Sequence, residues 1–300
     1  MTTGYLHPHY AASLAEFGTP RRLPRSGGWI LERGIPGWPY RDAMGCYPLF
    51  SCSDWSGLAW DLQELEGRLV SVALVTDPFG PFALDDLSRC FDVCTEFKRH
   101  FVTDLSRPLA RSVHSGHRYN ARRALKHLSV ARCARPQDHL AEWVGLYDHL
   151  IARHGISGLR AFSKASFRQL FDVPGVELYL ARHQGQIVAA HLWVVGGAVG
   201  YSHLRAMNGV GYQLAASYAL FWVAMHELAG RVRWVNHGGG VGLQQAEDGL
   251  TQFKRGWATE TRPVYFCGRI LDDGKYRELA SASGPPDGSY FPIYRAGEFT

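Results

Sequence analysis

Between residues 176 and 204 the chain alternates apolar, β-rich runs with two tight glycine-bearing turns, and this pattern specifies an antiparallel meander. Val176–His183 is the first strand, Gln184-Gly185 the turn, Ile187–Val195 the second strand, Gly196-Gly197 the next turn and Ala198–Leu204 the third strand. The loop Met207-Asn208-Gly209-Val210-Gly211 leads into a helix over Tyr212–Ala229. Val232–Asn236 is then a strand that ends in His237-Gly238-Gly239-Gly240, and Pro263–Ile270 is the last strand. With Gly196-Gly197 as the turn, Val195 pairs with Ala198, Leu192 with Tyr201 and Ala190 with His203. Alternation then places Tyr201, His203 and Arg205 on one face, and His191, Trp193 and Ser202 on the other.

Upstream, the first forty residues are rich in Gly, Pro and Arg and read as loops around one strand, Trp29–Glu32. Asp54 is placed to cap a helix over Asp54–Leu65, and Leu69–Thr76 is a buried strand closed by Asp77-Pro78. Leu84–Phe101 reads as an amphipathic helix. From Ser115 the character changes. A basic helix over His117–His127 is followed by a strand near Ser129–Arg132 and by helices over Gln137–His154 and Ser163–Phe171. At 300 residues, with two separate strand–helix sets, the chain is expected to form two domains. They cover residues 1–115 and 116–271, with a Gly- and Pro-rich tail over 272–300 that packs back on the first.

Hydrophobic residues make up 46% and charged residues 20%, as in a globular protein with a sizeable core. The six cysteines contain no C-x-x-C pair, which argues against a zinc ribbon or disulfide framework and fits a reducing compartment. His114, His117 and His127 have no ligand spacing and no acidic partner, so no metal site is expected. Met1–Gly18 lacks the pattern of a signal peptide, and Leu214–Ala229 is too short to span a bilayer; a soluble, cytoplasmic protein is expected. The formal charge is +5, carried by 27 Arg and 5 Lys, and suits an anionic partner. Arg118, Arg122 and Lys126 step by four along the basic helix, with Arg123 beside them and no acidic residue between, a stripe fitted to an RNA or phosphate backbone.

A meander, a glycine loop, a helix and another strand follow the order of the acetyltransferase (GNAT) fold, in which backbone N–H groups at a helix start bind phosphate. The loop of that family reads Arg/Gln-x-x-Gly-x-Gly/Ala; here Arg205-Ala-Met-Asn-Gly209-Val-Gly211 is one residue longer. Glu177-Leu-Tyr-Leu-Ala-Arg, Gly185-Gln-Ile-Val-Ala-Ala, Tyr201, Asn236-His-Gly-Gly and above all Gly249-Leu-Thr-Gln-Phe253-Lys254-Arg-Gly256 resemble the Fem family. Fem proteins are aminoacyl-tRNA-dependent peptide-bridge ligases built from two tandem GNAT-like domains. The resemblance covers roughly residues 116–271 and implies a mixed α/β (α+β) fold of two such domains, each a splayed mixed sheet flanked by helices. Asn236 and His237 stand where family members more often carry an acidic residue.

The resemblance implies an acyltransferase that forms an amide by direct attack of an amine. Lys254 falls on the Phe-Lys pair associated with the acyl donor, where its ammonium pairs with phosphate or with the developing oxyanion. Phe253, Arg205, Gly209 and Gly211 are the companion donor-binding residues. His237, at a strand end beside three glycines, takes the proton of the attacking amine, and Tyr201 and His203 are further catalytic candidates. No Ser-His-Asp or Cys-His arrangement points to a covalent intermediate. Aminoacyl-tRNA as co-substrate is favoured by the Phe-Lys element, the basic helix and the longer glycine loop. Acyl-CoA is the alternative donor, and a non-catalytic module holding a phosphorylated ligand is the alternative of a different class. The acceptor is a small molecule or a peptidoglycan or polysaccharide precursor.

Overall fold

A computed structural model describes residues 2–158, 161–240, 248–283 and 290–298. In chain order the strands are β1 (Thr19–Arg22), β2 (Trp29–Gly34), β3 (Arg41–Gly45), β4 (Ser71–Val75), β5 (Val93–Asp104), β6 (Ser129–Arg132), β7 (Val176–His183), β8 (Gln186–Gly196), β9 (Val199–Met207), β10 (Trp234–Asn236) and β11 (Glu260–Ile270). The helices are α1 (Pro8–Ser13), α2 (Leu58–Gln63), α3 (Leu84–Cys90), α4 (Leu109–Ser112), α5 (Ser115–Ala124), α6 (Leu140–His154), α7 (Lys164–Leu170), α8 (Gly209–Gln213), α9 (Ala216–Leu228), α10 (Gly249–Arg255) and α11 (Asp273–Ala282). The architecture is mixed α+β, mixed sheet flanked by helices.

Two units divide the chain: Met1–Gly4 with Lys98–Pro263, and Tyr5–Phe97 with Val264–Thr300. The division falls inside β5 and β11, at 97/98 and 263/264, whereas composition shifts had suggested 115/116 and 271/272.

In the smaller unit β1, β2 and β3 are antiparallel neighbours, β3 and β4 run parallel, and β11 closes on β4 antiparallel. The first forty residues thus hold one more strand, β1, than their Gly and Pro content suggests, and β3 follows directly after them. Ile30, Ala43, Phe50, Leu58, Leu62, Val72, Leu74 and Cys267 form its core. Asp42 is fully buried and held by Arg33 and by the Arg295 fork, which brings the carboxy-terminal residues into this unit.

The larger unit orders its strands β5-β10-β9-β8-β7-β6. The β7–β8 turn is Gln184-Gly185, with φ of 50° and 82°, the double positive pair that a two-residue hairpin requires. The next turn is displaced by one residue: Gly196 pairs with Val199, so the loop is Gly197-Ala198, and Gly197 takes the positive φ of 55°. Helix α9 supplies Ala219, Leu220, Phe221, Ala224 and Met225 to a core shared with Ala124 of α5, Tyr179, Trp193, Val235 and Trp257.

Segment 84–101 corrects the sequence expectation most. Only Leu84–Cys90 is helical, and Val93–Asp104 is a strand. Val102, Thr103 and Asp104 pair with β10, and this long-range ladder, favoured by the aromatic and β-branched run Phe101-Val102-Thr103, outweighs the helical spacing of the preceding turns.

Candidate active site

The ladder between β10 and β9 is parallel and covers three pairs, from Trp234 with Val199 to Asn236 with Tyr201. Beyond it β9 continues to Met207 while β10 gives way to His237. A β-bulge lies at this point of β9. Ser202 is opposite Trp193, Leu204 is opposite Leu192, and His203 is the extra residue between them. A bulge reverses the alternation of everything after it. Tyr201 therefore shares a face with Val194, whereas Arg205 pairs directly with His191 and shares the face of Trp193. The expectation that Tyr201, His203 and Arg205 line one face is overturned. His203 is half-buried with its ring 6.2 Å from that of Phe162, and desolvation pushes it down to about 3. Tyr201 is buried on its strand.

On the α9 face the guanidinium of Arg205 lies 5.0 Å from the ring of Phe221 and 4.6 Å from that of Phe253. Aromatic faces hold it in place of a carboxylate; among the described residues no carboxylate pairs with it. Burial lowers its pKa to about 10, opposed by Tyr212 and Tyr218. His191 is fully buried between Trp193 and Phe221, with Nε2 2.9 Å from Ser202 Oγ.

Phe253 and Lys254 come from α10, whose first turn is capped by Asp248 accepting from the N–H of Thr251 at 2.6 Å. Lys254 Nζ donates to the carbonyl of Gly239 at 2.5 Å. Gly238 has φ of 76°, and a Cβ there would stand 3.2 Å from Nζ, so a glycine fits both the turn and the lysine. Burial, then the charges of Arg205 and Lys98, lower the Lys254 ammonium to about 7, against the opposing pull of Asp248. The loop is braced from below. Asn236 Oδ1 accepts from Gly238 N at 2.8 Å and stands 3.1 Å from His100 Nδ1, while Lys98 Nζ lies 3.5 Å from Gly240 O. His100 is pushed down to about 3 by burial and by Lys254.

His237 is 1% exposed, and its Nε2 lies 2.7 Å from Thr103 Oγ1. The Thr103 hydroxyl spends its single proton on the carbonyl of Trp257 at 2.8 Å, so it can only accept from the imidazole. His237 therefore carries its proton on Nε2. Among the described residues its Nδ1 is left as a bare, buried lone pair without a partner. Burial, then Lys254 and Arg205, push its pKa to about 3 and keep the ring neutral. The fold thus gathers Lys254, Arg205, Phe253 and His237, with Lys98, His100, Thr103 and His191 beside them, into a cationic cluster.

The glycine loop plays a different part. Helix α8 begins at Gly209 and is separated from α9 by Leu214 and Ala215, so the expected helix is two. The N–H of Gly211 is taken by Asn208 Oδ1 at 3.0 Å, and a Cβ on Gly211 would stand 2.5 Å from the carbonyl of Val188. Close packing on β8 explains that glycine, while Gly209 faces open space. The basic helix ends at Ala124, so Lys126 lies beyond it. Arg122, Arg123 and Lys126 are exposed, whereas Arg118 is half-buried with an Nε that has no partner among the described residues. The predicted 118-122-126 stripe is therefore not a single exposed face. Lys98 and His100 escaped the sequence reading because their segment looked helical; the Phe-Val-Thr run at 101–103 was the available signal for a strand. Among the described residues no cluster of His, Cys, Asp or Glu is placed to hold a metal, and no helix is long and apolar enough to cross a membrane.

The acetyltransferase (GNAT) domain family matches residues 115–255. No curated protein matches the chain. Among solved structures, FemX is similar over 90% of this chain and 93% of its own, with a TM-score of 0.67 at 14% identity. The C-terminal domain of a protein described as a lysylphosphatidylglycerol synthetase from Agrobacterium fabrum is similar over 89% of this chain and 88% of its own, with a TM-score of 0.64 at 16% identity. L-PGS from Bacillus licheniformis covers 89% of this chain and 93% of its own, with a TM-score of 0.56 at 15% identity. At these identities the likeness is one of fold. Residues 115–255 match the acetyltransferase (GNAT) domain family, and that match supports an acyltransferase.

Proposed function

We propose that this protein transfers an aminoacyl group from aminoacyl-tRNA to an amine, forming an amide, with a cell-wall precursor or small natural product as acceptor. The observation that carries the reading is the pair Arg205 and Lys254, two cations without a carboxylate partner among the described residues, beside the bare Nδ1 of His237. Buried positive charge of this kind is stabilised by a bound anion, such as donor phosphate, and by a tetrahedral oxyanion.

The acceptor nitrogen attacks the ester carbonyl as a neutral amine. His237 Nδ1, unprotonated at neutral pH, accepts a hydrogen bond from that amine and orients it. Lys254, near 7, is matched to take the proton: a general base works best with a pKa close to the operating pH. It becomes an ammonium as negative charge develops on the carbonyl oxygen, then returns the proton to the departing ribose oxygen as the C–O bond breaks. Arg122, Arg123 and Lys126 contact the RNA backbone. Tyr201 and His203 have supporting places at the bulge, and the smaller unit stands as the first of two tandem GNAT-like domains. Both substrates place the reaction in the cytoplasm.

A second donor, acyl-CoA, is favoured by the GNAT domain match and opposed by the internally satisfied N–H of Gly211. Supplying the purified protein with an amine and either labelled aminoacyl-tRNA or labelled acyl-CoA separates the two. Amide formed only from the CoA thioester would overturn the aminoacyl-tRNA reading, and saturable binding without turnover from either would point to a non-catalytic module.

A further inference from the structure

The exposed face of α5 is not the one that spacing in fours suggests. Ala121 and Ala124 are buried, Ala124 in the core shared with α9, and this fixes the rotation of the helix. Tyr119 then points outward and is 63% exposed, the most exposed large hydrophobic side chain among the described residues. Arg122 and Arg123 are exposed three and four residues further on, positions that share a helix face with Cβ atoms about 5–6 Å apart. Helix α5 contains no acidic residue, and among the described residues neither arginine has a carboxylate partner. An aromatic face left in water beside two unneutralised guanidinium groups is the combination that binds single-stranded nucleic acid: the ring stacks on a base and the cations follow the backbone.

We propose that Tyr119 is a stacking platform for an unpaired nucleotide of an RNA whose phosphates lie along Arg122 and Arg123. This rests on the RNA-donor reading above and adds to it a residue that acts on the base. Stacking and phosphate contact leave different signatures. Loss of a phosphate contact flattens the dependence of log affinity on log salt by about 0.7 per charge on a single strand. Loss of stacking weakens binding at every salt concentration and leaves the slope alone.

The probes are an RNA hairpin with a single-stranded 3′ end, the same hairpin blunt-ended, and vesicles of anionic lipid. Tyr119→Ala is expected to weaken binding of the tailed hairpin about tenfold, with an unchanged salt slope and little effect on the blunt one. Tyr119→Phe keeps the affinity, because it keeps the ring. Arg122→Ala with Arg123→Ala flattens the slope by about 1.4. Tailed-hairpin affinity within twofold of the parent in Tyr119→Ala overturns the stacking role while the RNA reading stands. A parent protein that binds neither hairpin, or binds only the vesicles, overturns the RNA reading and the stacking role together.

Discussion

His237 Nε2 donates to Thr103 Oγ1 across 2.7 Å, and that one bond decides which ring nitrogen is left as an acceptor. Thr103 has already given its proton to Trp257 O, so the imidazole cannot adopt the other tautomer without orphaning a buried hydroxyl oxygen. Thr103→Val keeps the shape and removes the acceptor. The ring is expected to lose its fixed tautomer, seen in its nitrogen NMR shifts, and turnover to fall about tenfold, the scale of one hydrogen bond. His237→Asn, whose side-chain oxygen stands near the Nδ1 position, should retain more activity than His237→Ala. A parent ring protonated at Nδ1 would defeat the assignment.

Replacing Lys254 with Met keeps the stem and removes the amine. Turnover should fall by about 10- to 1,000-fold, the scale of one electrostatic stabiliser, with the midpoint of thermal unfolding within a few degrees of the parent. Activity within twofold of the parent would remove Lys254 from the chemistry.

Two opposite pH slopes should appear above neutrality. The Lys254 ammonium is lowered from 10.5 to about 7 in the folded protein, so between these values the unfolded chain binds the extra proton and the folded one does not. Stability therefore rises with pH over this window. A bound anion reverses the preference, because it favours the ammonium against the charges of Arg205 and Lys98, with His100 and His237 neutral and Asp248 aiding. Pyrophosphate affinity should then be flat below about pH 6 and fall by up to tenfold per pH unit above 7, with proton uptake visible as a dependence of the binding heat on buffer ionisation. Lys254→Met should abolish both slopes, and a parent whose pyrophosphate affinity is level from pH 6 to 9 would refute the account.

Gly209 and Gly211 should respond differently to alanine. A Cβ at Gly211 would sit 2.5 Å from Val188 O, so Gly211→Ala costs about 1–3 kcal/mol of stability by overpacking. At Gly209 none of the described residues stands within 4 Å, and Gly209→Ala should leave stability within about 0.5 kcal/mol. Chemical denaturation of both variants checks this; equal stabilities would remove the packing explanation of Gly211.

Local sequence determined the elements whose geometry is itself local. Gln184-Gly185 folds as the two-residue turn that its composition demands, and the β7–β8–β9 meander and the Phe253-Lys254 pair on its short helix follow from adjacent residues. The tertiary structure decided the rest. No neighbour in sequence marks His203 as the bulged residue, yet that single insertion moves Arg205 from the side of Tyr201 to that of His191. Segment 93–104 carries helical spacing in its first half, and only pairing with residues more than a hundred positions away makes it a strand and delivers Lys98, His100 and Thr103 to the site. In the sequence Lys254 is marked only by the resemblance of its Phe-Lys pair, and nothing there signals a shifted amine. Burial beside Arg205, distant along the chain, brings its amine near 7, because the energy of a charge depends on the surrounding dielectric and on other charges, both set only when the chain has folded.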